Sequence, residues 1–359
     1  MECRKQNKDE KYMAMAIELA RKAQNPSPNP YVGAILVKNK KIVGKGFHRR
    51  AGESHAEVNA IRDTGTLARG STLYVNLEPC VHYGKTPPCT WALINAGIKE
   101  VVIGMKDPNP LVNGRGIAEL KESGVMVKEG ILKKEAKRLN EIYLKYITRK
   151  MPFVILKSAM SFDGKIATIS GESKWISSEE SRRYVRKLRG KFDAILVGIN
   201  TVLMDNPSLS KPCKVIVDSR LRIPLKAKVL KNPQRVIVAT TNRAPNAKIR
   251  RLQDSGARVL IIKEKKGKVD LNILMKEMAK IEISSVLIEG GGEINASAIE
   301  SGIVDKILFF IAPKIIGGRD AKTPVEGEGI KRIARAIPIR NMTVKMLGRD
   351  ILIEGYIWG

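Results

Sequence analysis

The side chains best suited to chemistry in this 359-residue chain lie in its first half. His55 and Glu57 stand two positions apart at the start of a predicted helix, Cys80 follows a predicted strand, and Cys89 comes nine positions later. One imidazole and two thiolates supply three ligands of a tetrahedral zinc ion and leave the fourth position to water, whose pKa the metal lowers to ~7. Glu57 can take the proton of that water and pass it to a leaving amine. The spacing therefore predicts a catalytic zinc site.

Two other interpretations use the same residues. Cys80 and Cys89 could be buried apolar thiols, or they could form a structural zinc site with His48 or His82 as fourth ligand. The succession of H-x-E, P-C and a second cysteine favours the catalytic site, because it is the signature of the zinc base deaminases. Eight residues separate the two thiols, where the general signature has a short C-x-x-C.

Predicted helices and strands alternate around these residues. Apolar positions of helical period predict a helix over 9–24, and two apolar runs flanking Asn39-Lys40 predict a hairpin. Further helices are predicted to start at His55 and at Cys89, with a strand at 71–77 between them and a strand at 100–105 after the second, and a last helix spans about 132–149. This alternation predicts an α/β layered domain. The domain boundary is placed at Lys150, giving domains 1–150 and 151–359.

The second half reads as another α/β domain. A strand is predicted over 153–161, a helix over 178–190, several Val/Ile-rich strands between 193 and 289, and a closing hairpin around Gly348-Arg349. Gly290, Gly291 and Gly292 follow a strand and open a helix, which suits the approach of a phosphate to a helix N-terminus. The triplet lacks the G-x-G-x-x-G spacing of a Rossmann dinucleotide site, and a plain tight turn fits it equally well.

Charge is the conspicuous feature of the composition. The formal net charge is +29, from 65 Lys+Arg and 36 Asp+Glu. A nucleic-acid partner is one interpretation of this excess. The excess is divided evenly, net +12 in residues 1–150 and net +17 in residues 151–359, without a basic tail. An even spread favours a generally basic surface over an interaction arm.

The remaining composition narrows the class of protein. Hydrophobic residues make up 43% and charged residues 28%, which is ordinary globular usage and excludes a disordered chain. No apolar run is long enough for a transmembrane helix, and the N-terminus lacks the apolar core of a signal peptide. Four cysteines form no disulfide framework. We therefore expect a cytoplasmic enzyme that does not bind a membrane.

Longer motifs in the first half resemble one family. The deaminase domain of the bifunctional riboflavin-biosynthesis deaminase/reductase is similar to residues 9–149, through NPNPYVGAILVK, HAEVNA, LEPCVHYGKTPPC and DPNPLVNGRG. The resemblance implies a cytidine-deaminase-like three-layer α/β/α fold and the substrate 2,5-diamino-6-ribosylamino-4(3H)-pyrimidinone 5′-phosphate. It places Asn29, His82 and Lys85 in the substrate pocket, with Lys85 facing the phosphate. Val81 stands where the family commonly has Ser.

The second half resembles the reductase domain of the same enzyme. The motifs, in order, are KSAMSFDGKIAT, SGESKWIS, LRGKFDAILVGINTVLMDNPSL, VDSR, LIEGGGEI and IAPKIIGG. The resemblance implies a dihydrofolate-reductase-like α/β fold, NADPH as cofactor, and hydride transfer that opens the ribosyl ring to a ribityl chain. The residues it assigns to the cofactor are Ala159, Trp175, Thr201, Asp205, Ser219, Gly291, Gly292, Glu293, Ile294, Asn295, Ala296 and Ser297. Those it assigns to the substrate are Ser173, Arg189, Leu209 and Glu289.

Departures from the family pattern and competing functions remain at this point. The family often has a substrate-binding Arg after Leu209, where this chain has Lys211, a point charge without the bidentate fork of Arg. Asn206 stands where a second acid is common. Lys157 and Asp205 are the ionisable candidates for proton handling.

Two alternative functions remain open. One is a nucleic-acid or nucleoside base deaminase with an accessory domain, and the other is a zinc-stabilised binding module without catalysis. Small-molecule substrates, no nucleic acid, and a homo-oligomer (dimer or tetramer) are expected.

Overall fold

The computed structural model describes residues 8–84, 86–209 and 213–357. The chain divides into two compact units, Met1–Lys150 and Met151–Gly359. Lys85 and Lys211, both assigned to substrate above, lie outside the described residues.

A five-stranded sheet forms the centre of the N-terminal unit. Its order is β2-β1-β3-β4-β5, and β3, β4 and β5 run parallel while β1 is antiparallel to both β2 and β3. Asn39 and Lys40, both with positive φ, make the predicted tight turn between the first two strands. The strands are β1 (Gly33–Lys38), β2 (Lys41–Phe47), β3 (Thr72–Leu77), β4 (Glu100–Met105) and β5 (Met126–Glu129).

Helices cover both faces of this sheet. α1 and α5 pack on one face against β3 and β4. α2 packs on the other face against β1 and β2; α3 contacts α2, and α4 contacts α3. The result is the three-layer α/β/α arrangement that the sequence predicts. The helices are α1 (Lys8–Ala20), α2 (Ala56–Thr64), α3 (Cys89–Asn95), α4 (Arg115–Glu122), α5 (Lys133–Leu139) and α6 (Glu141–Arg149).

The long helix predicted over 132–149 is wrong in one respect, because two helices stand there. Asn140, between α5 and α6, leaves helical geometry with φ −107° and ψ 19°. Its buried side chain brackets the backbone of Tyr31, accepting from the Tyr31 N–H at 2.7 Å and donating to the Tyr31 carbonyl at 3.0 Å. A tertiary contact across 109 residues thus interrupts a sequence whose local pattern is helical.

Two glycines in β2 allow α2 to lie close to the sheet. A Cβ on Gly46 would collide with the backbone of Ala56 and Ala60, and a Cβ on Gly44 would collide with Thr64 and the Ala60 carbonyl. The missing side chains therefore set the distance between β2 and the helix that follows His55.

The C-terminal unit is built on a nine-stranded sheet of order β10-β9-β8-β7-β13-β6-β14-β16-β15. The first seven in that order run parallel, and β16 pairs antiparallel with both β14 and β15. The strands are β6 (Phe153–Ser161), β7 (Ala194–Gly198), β8 (Cys213–Val217), β9 (Val236–Thr240), β10 (Arg258–Ile261), β13 (Ser285–Ile288), β14 (Lys306–Ala312), β15 (Arg340–Leu347) and β16 (Asp350–Tyr356), with β11 (Glu264–Lys265) and β12 (Lys268–Val269) as a separate ribbon.

Side chains of alternating direction build an apolar core on each face of this sheet. Leu196 and Val215 point into one core, and their neighbours Ile195 and Ile216 point into the other. Ligands of such sheets bind at the carboxyl ends of the parallel strands. The helices are α7 (Glu179–Arg189), α8 (Ile199–Asp205), α9 (Asn246–Asp254), α10 (Leu271–Lys280) and α11 (Gly292–Glu300). No helix among the described residues of either unit is long and apolar enough to cross a membrane.

Candidate active sites

His55, Cys80 and Cys89 converge in the N-terminal unit. The Nδ1 atom of His55 lies 3.1 Å from Cys89 Sγ and 3.5 Å from Cys80 Sγ, and the three donor atoms lie within 4.8 Å of one another. Both cysteines are free thiols. A tetrahedral zinc site has this donor set, with one position left for water. The geometry brings together all three residues that the sequence predicts as ligands.

Three different elements hold the three donors. His55 is the N-cap residue of α2, Cys80 lies in the segment after β3, and Cys89 is the first residue of α3. The backbone amide of Cys89 also points to Cys80 Sγ at 3.5 Å. Thr86 places its hydroxyl 3.3 Å from His55 Nε2, so the imidazole is oriented from the side opposite the thiols. Such outer contacts fix the direction of a ligating imidazole.

Glu57 lies in the first turn of α2 and is buried, with 3% of its surface exposed. Its Oε2 atom makes no hydrogen bond with any described residue. Burial raises the pKa of the Glu57 carboxyl, because removal from water disfavours the charged form. A buried carboxyl with an unused oxygen beside a metal-type donor set suits proton transfer.

His48 is engaged elsewhere and does not join the cluster. Its Nδ1 lies 3.2 Å from the Ser54 carbonyl, and its Nε2 lies 3.0 Å from the Asn29 amide nitrogen. Burial lowers the pKa of His48, so the ring is neutral, donates to Ser54 and accepts from Asn29. His48 thereby positions Asn29, one of the residues assigned to the substrate pocket, and its ring stands edge-on to His55 with centroids 5.3 Å apart.

Glu78 ties the loop 107–117 to the segment carrying Cys80. Its buried carboxylate accepts backbone N–H groups from Asp107 at 3.0 Å, Gly114 at 3.0 Å and Gly116 at 3.1 Å. The sequence analysis missed this role, because the partners lie at least 29 residues away. One sequence feature indicated this role. The turn residues of DPNPLVNGRG predict no regular element, so the backbone N–H groups of this loop need acceptors from another segment.

A cleft opens at the carboxyl ends of the parallel strands in the C-terminal unit, with a volume of ≈ 1360 Å³. Drug-sized ligands occupy ~300–1,000 Å³, so this cleft has room for more than one such molecule. Fourteen residues assigned to cofactor and substrate by resemblance line it: Ala159, Ser173, Trp175, Arg189, Thr201, Asp205, Leu209, Ser219, Glu289, Gly291, Gly292, Glu293, Ile294 and Ser297. Lys157 lines it as well.

Two assigned residues lie outside the cleft lining. Asn295 and Ala296 are on α11 but face the interior, with 0% and 3% of their surfaces exposed. The Asn295 amide donates to the Pro324 carbonyl at 2.8 Å, so it supports the turn around the helix. Each step along α11 rotates ~100° about its axis, so the helix turns Asn295 and Ala296 toward the interior before Ser297 returns to the cleft.

A bidentate ion pair lies inside the cleft. Arg189 at the end of α7 donates from Nε to Glu289 Oε1 at 2.8 Å and from Nη2 to Glu289 Oε2 at 2.6 Å. Glu289 directly follows β13 and is buried. This pairing keeps the pKa of Glu289 below its ordinary value in spite of burial, which acts in the opposite direction. Lys157 on β6 is partly buried nearby, and burial lowers the pKa of its amine.

Comparison with known proteins decides the family. Residues 152–353 match the family model described as the RibD C-terminal domain, and residues 6–105 match the cytidine and deoxycytidylate deaminase zinc-binding region. The riboflavin biosynthesis protein RibD of Actinobacillus pleuropneumoniae is 44% identical over 353 residues, covering 96% of this chain and 94% of the relative. The chain belongs to the RibD family.

Solved RibD structures share the fold of the whole chain. Acinetobacter baumannii RibD aligns with a TM-score of 0.89 at 37% identity, covering 98% of this chain and 99% of that one. The diaminohydroxyphosphoribosylaminopyrimidine deaminase/5-amino-6-(5-phosphoribosylamino)uracil reductase of Thermotoga maritima aligns with a TM-score of 0.86 at 34% identity, covering 99% of this chain and 100% of that one. The predicted fold class is confirmed. The chain is a bifunctional riboflavin biosynthesis enzyme with a deaminase and a reductase domain.

Two further contacts in the reductase cleft involve residues that the RibD resemblance assigns to substrate or cofactor. Ser173 donates its hydroxyl to Asp205 at 3.3 Å, linking two assigned residues on different segments. Trp175 is 64% exposed, and the Arg182 guanidinium lies 4.7 Å from its ring centroid. Arg182 was not predicted, although its place in the basic run of α7 was visible. An exposed tryptophan held by a cation is available to stack on a planar ligand.

Proposed function

We propose that the chain hydrolyses the ring amine of 2,5-diamino-6-ribosylamino-4(3H)-pyrimidinone 5′-phosphate and then reduces the ribosyl group of the product to ribityl with NADPH. The product would be 5-amino-6-ribitylamino-uracil 5′-phosphate. The observation that carries the proposal is the His55, Cys80 and Cys89 cluster with a buried, unpaired Glu57 oxygen beside it. The activity carried in the name of the Thermotoga maritima relative supports the choice of substrate.

The residues present fit a zinc ion. One imidazole nitrogen and two sulfurs are preferred zinc donors, and three protein ligands are the number typical of a catalytic site. His55, Cys80 and Cys89 would hold the metal. Zinc there supplies the Lewis acidity that makes water nucleophilic at neutral pH. A structural site with His48 as fourth ligand is disfavoured, because both polar atoms of the His48 ring have other partners.

The chain's own groups then move the protons of the deamination. Glu57 accepts a proton from the attacking water at its free carboxylate oxygen and delivers it to the amine, which leaves as ammonia while a carbonyl forms. Burial raises its pKa toward the working pH, which balances proton uptake against release. Asn29, held by His48, and His82, whose Nδ1 is buried without a partner among the described residues, are the pocket groups available to orient the pyrimidinone. Lys85 completes the proposed set as the phosphate ligand.

In the reductase cleft the ring opening needs a hydride and a proton. NADPH, when bound, would supply the hydride. The substrate would gain it at C1′ as the bond from C1′ to the ring oxygen breaks and that oxygen takes a proton. Lys157 and Asp205 are the cleft groups proposed to handle this proton. The Arg189 and Glu289 pair, with Ser173, Leu209 and Lys211, is proposed to hold the substrate. Both Arg189 contacts to Glu289 are charge-assisted, so they fix the orientation of these two side chains in the substrate site.

Location and assembly belong to the same proposal. The three described cysteines are free thiols, which suits a reducing compartment, and we place the enzyme in the cytoplasm. We also propose a homo-oligomer, a dimer or tetramer, which light scattering on the purified chain would test.

The decisive experiment supplies the diaminopyrimidinone phosphate with and without NADPH and identifies the products by mass. Without NADPH we expect exchange of one amino group for oxygen. Adding NADPH should add two hydrogens to that product. A chain that leaves this compound intact but deaminates cytidine or RNA would support the alternative of a nucleoside or nucleic-acid deaminase.

Glu57→Gln tests the assigned chemistry. Without a proton carrier the deamination rate should fall by ~10²–10⁴-fold. Zinc content and reduction of supplied deaminated intermediate should stay unchanged. Glu53→Gln is the matched control, since Glu53 is partly exposed and pairs with Arg50 at 2.8 Å. Full deaminase activity in Glu57→Gln would contradict the assignment.

A further inference from the structure

Ser173 and Trp175 line the reductase cleft from a segment that forms neither a helix nor a strand. We call this segment, residues 173–178, the tryptophan segment; it leads directly into α7. The family resemblance assigns its two cleft residues to substrate and cofactor. Since no regular ladder of backbone hydrogen bonds fixes the segment, contacts from other parts of the chain must set the direction of both side chains.

Two long cationic side chains hold carbonyl groups of the tryptophan segment. Lys314 Nζ donates to the Trp175 carbonyl at 2.7 Å, and Arg182 Nη1 donates to the Ser177 carbonyl at 2.6 Å. Both cations are partly exposed, and side chains of this length lose much rotamer freedom when they are held in one position. These two contacts alone therefore fix the backbone of the segment only weakly.

Asp350 provides a buried anchor for the end of the segment. It is the first residue of β16, with 0% of its surface exposed, and its Oδ2 atom accepts the backbone N–H of Ser178 at 2.7 Å. Its Oδ1 atom is also buried and makes no hydrogen bond with any described residue. A charge-assisted hydrogen bond shielded from water is stronger than a contact made at the surface. The Asp350 carboxylate thus holds the Ser178 amide firmly.

The hairpin tip that carries Asp350 packs on the start of α7. Ser178, which Asp350 holds, is the N-cap residue of this helix. A Cβ on Gly348 would lie 2.8 Å from Glu180 Oε2, so the turn between β15 and β16 lies against the first turn of α7. Asp350 therefore joins the C-terminal hairpin both to the tryptophan segment and to the helix that follows it.

α7 carries the arginine that contacts the tryptophan ring. The Arg182 guanidinium lies 4.7 Å from the centroid of the Trp175 ring. The Arg182 backbone N–H donates to the Ser178 carbonyl at 3.1 Å, so Arg182 stands in the turn of helix that Ser178 begins. Fixing Ser178 to Asp350 thus places the Trp175 ring in two ways, through the backbone of the tryptophan segment and through Arg182.

We propose that Asp350 is a positioning residue of the reductase, because its hydrogen bond to Ser178 orders the tryptophan segment and the Trp175 ring before NADPH binds. This inference rests on the proposed reductase function and on the assignment of Trp175 to the cofactor. A ring that is already ordered loses less freedom on binding, so the cofactor binds more tightly. Asp350 does not line the cleft, so it acts through Trp175 and not by contact with the cofactor.

The test compares NADPH affinity in single and double variants of the full chain. The dissociation constant of NADPH is measured by calorimetry for the wild type, Asp350→Ala, Trp175→Ala and the variant with both changes. Each single change should weaken NADPH by about 10-fold, the order of one hydrogen bond to a charged group or of one aromatic stacking contact. The variant with both changes should bind like Trp175→Ala alone, since Asp350 then has no ring to position.

Steady-state kinetics separate positioning from a loss of folded protein. Asp350→Ala should raise the KM for NADPH and keep kcat at saturating cofactor, because the affected interaction is one of binding. A smaller amount of folded protein would lower the apparent kcat and leave KM unchanged. Asp350→Asn should restore the NADPH affinity, because its amide oxygen can still accept the Ser178 N–H.

Asp305→Ala is the matched control. Asp305 directly precedes β14 and is also buried, and its Oδ2 atom accepts the Val154 N–H at 2.7 Å. This is the same kind of contact in the same sheet, at the amino ends of the parallel strands, and Asp305 does not line the cleft. We expect Asp305→Ala to leave the NADPH affinity unchanged.

Lys314→Met provides a second test that leaves the buried anchor in place. It removes the partly exposed partner of the Trp175 carbonyl. NADPH should bind more weakly to Lys314→Met than to the wild type, by a smaller factor than for Asp350→Ala, and the effect should disappear when Trp175 is already Ala. If Asp350→Ala does not fold, this variant decides, and an unchanged NADPH affinity would then overturn the role given to the segment.

The remaining outcomes each overturn a stated claim. Unchanged NADPH affinity in folded Asp350→Ala, equal weakening in Asp305→Ala, or additive effects with Trp175→Ala would overturn the positioning role. Asp350→Asn that binds as weakly as Asp350→Ala would overturn the hydrogen bond to the Ser178 amide as its cause. Trp175→Ala that binds NADPH like the wild type would overturn the assignment of the ring to the cofactor. A wild type that neither binds nor oxidises NADPH would reject the reductase function itself.

Discussion

Three buried carboxyl groups in the N-terminal unit, Glu57, Glu78 and Asp107, differ in their hydrogen-bond partners and therefore in their roles. Glu57 has an oxygen without a partner among the described residues and can carry a proton. Glu78 is saturated by backbone amides and holds a loop. Asp107 accepts the Tyr143 hydroxyl at 2.9 and 3.0 Å, and burial raises its pKa to about 6. Spacing predicted the role of Glu57, whereas the other two depend on contacts between distant segments.

Asp107 makes the stability of the N-terminal unit depend on pH. Its folded pKa is raised from 3.8 to about 6, so its contribution to stability is complete below pH 3.8 and is lost as pH rises through 6. About two pKa units correspond to ~3 kcal/mol by pH 8. Asp107→Asn should therefore gain stability over the wild type between pH 4 and pH 8, as measured by hydrogen exchange in β3 and β4.

The control for this comparison is Asp254→Asn, an exposed position on α9. Its difference from the wild type should stay constant over the same pH range. A constant difference for Asp107→Asn as well would show that the Asp107 carboxyl keeps the same pKa in the folded and unfolded chain.

At the scale of elements, the local sequence pattern predicted most strands of the N-terminal sheet. It failed where contacts between distant segments determine the local structure. The hairpin at Asn39-Lys40 and the helices at His55 and Cys89 follow from periodicity and turn residues. The break at Asn140 depends on Tyr31, far away in the sequence. α4 and β5 were missed: α4 is short and starts from a glycine-rich loop, and β5 is a four-residue edge strand with mostly exposed side chains. The arrangement of the reductase cleft required the family resemblance, since its residues are spread over more than a hundred positions.

The Arg189–Glu289 pair joins α7 to the end of β13, and its loss should destabilise that part of the sheet. Arg189→Met leaves the buried Glu289 without its bidentate partner, at a cost of ~3–5 kcal/mol. Arg183→Met on the same helix removes an exposed pair with Glu179 and should cost less than ~0.5 kcal/mol. Hydrogen exchange of the buried β7 and β13 amides measures both.

A second substitution identifies the cause of the Arg189 effect. Adding Glu289→Leu to Arg189→Met removes the unpaired charge and should restore much of the lost stability. If the double variant is as unstable as Arg189→Met alone, packing of the arginine and not the buried charge is responsible.

At the scale of the whole molecule, the two units carry the two chemistries and share the positive charge evenly. Net charges of +12 and +17 fit a surface that attracts phosphorylated substrates, since such fields raise the local concentration of anions. The net charge left a nucleic-acid partner open, its even spread favoured a generally basic surface, and family membership supports the latter interpretation.

The proposed boundary at Lys150 predicts that the activities are separable. Residues 1–150 and 151–359, produced as two chains, should each fold around the core they contain. The first should deaminate the substrate, and the second should reduce the deaminated product, each with a kcat close to that of the full chain. Assays of each chain alone and of their mixture test this. An inactive second chain that regains activity in the mixture would show that the reductase depends on the deaminase unit.

The close contact of α2 with β2 has a consequence for protein engineering. Replacing glycine by alanine is a common way to stabilise a chain, gaining ~0.4–1 kcal/mol where the backbone allows it. Gly190, after α7, has φ −67° and room for a methyl group, so it is a suitable target. Gly44 and Gly46 are not: a single methyl there would push away the helix that begins beside His55 and carries Glu57. Replacing all three glycines by alanine should therefore leave the reductase unit folded but displace the deaminase site.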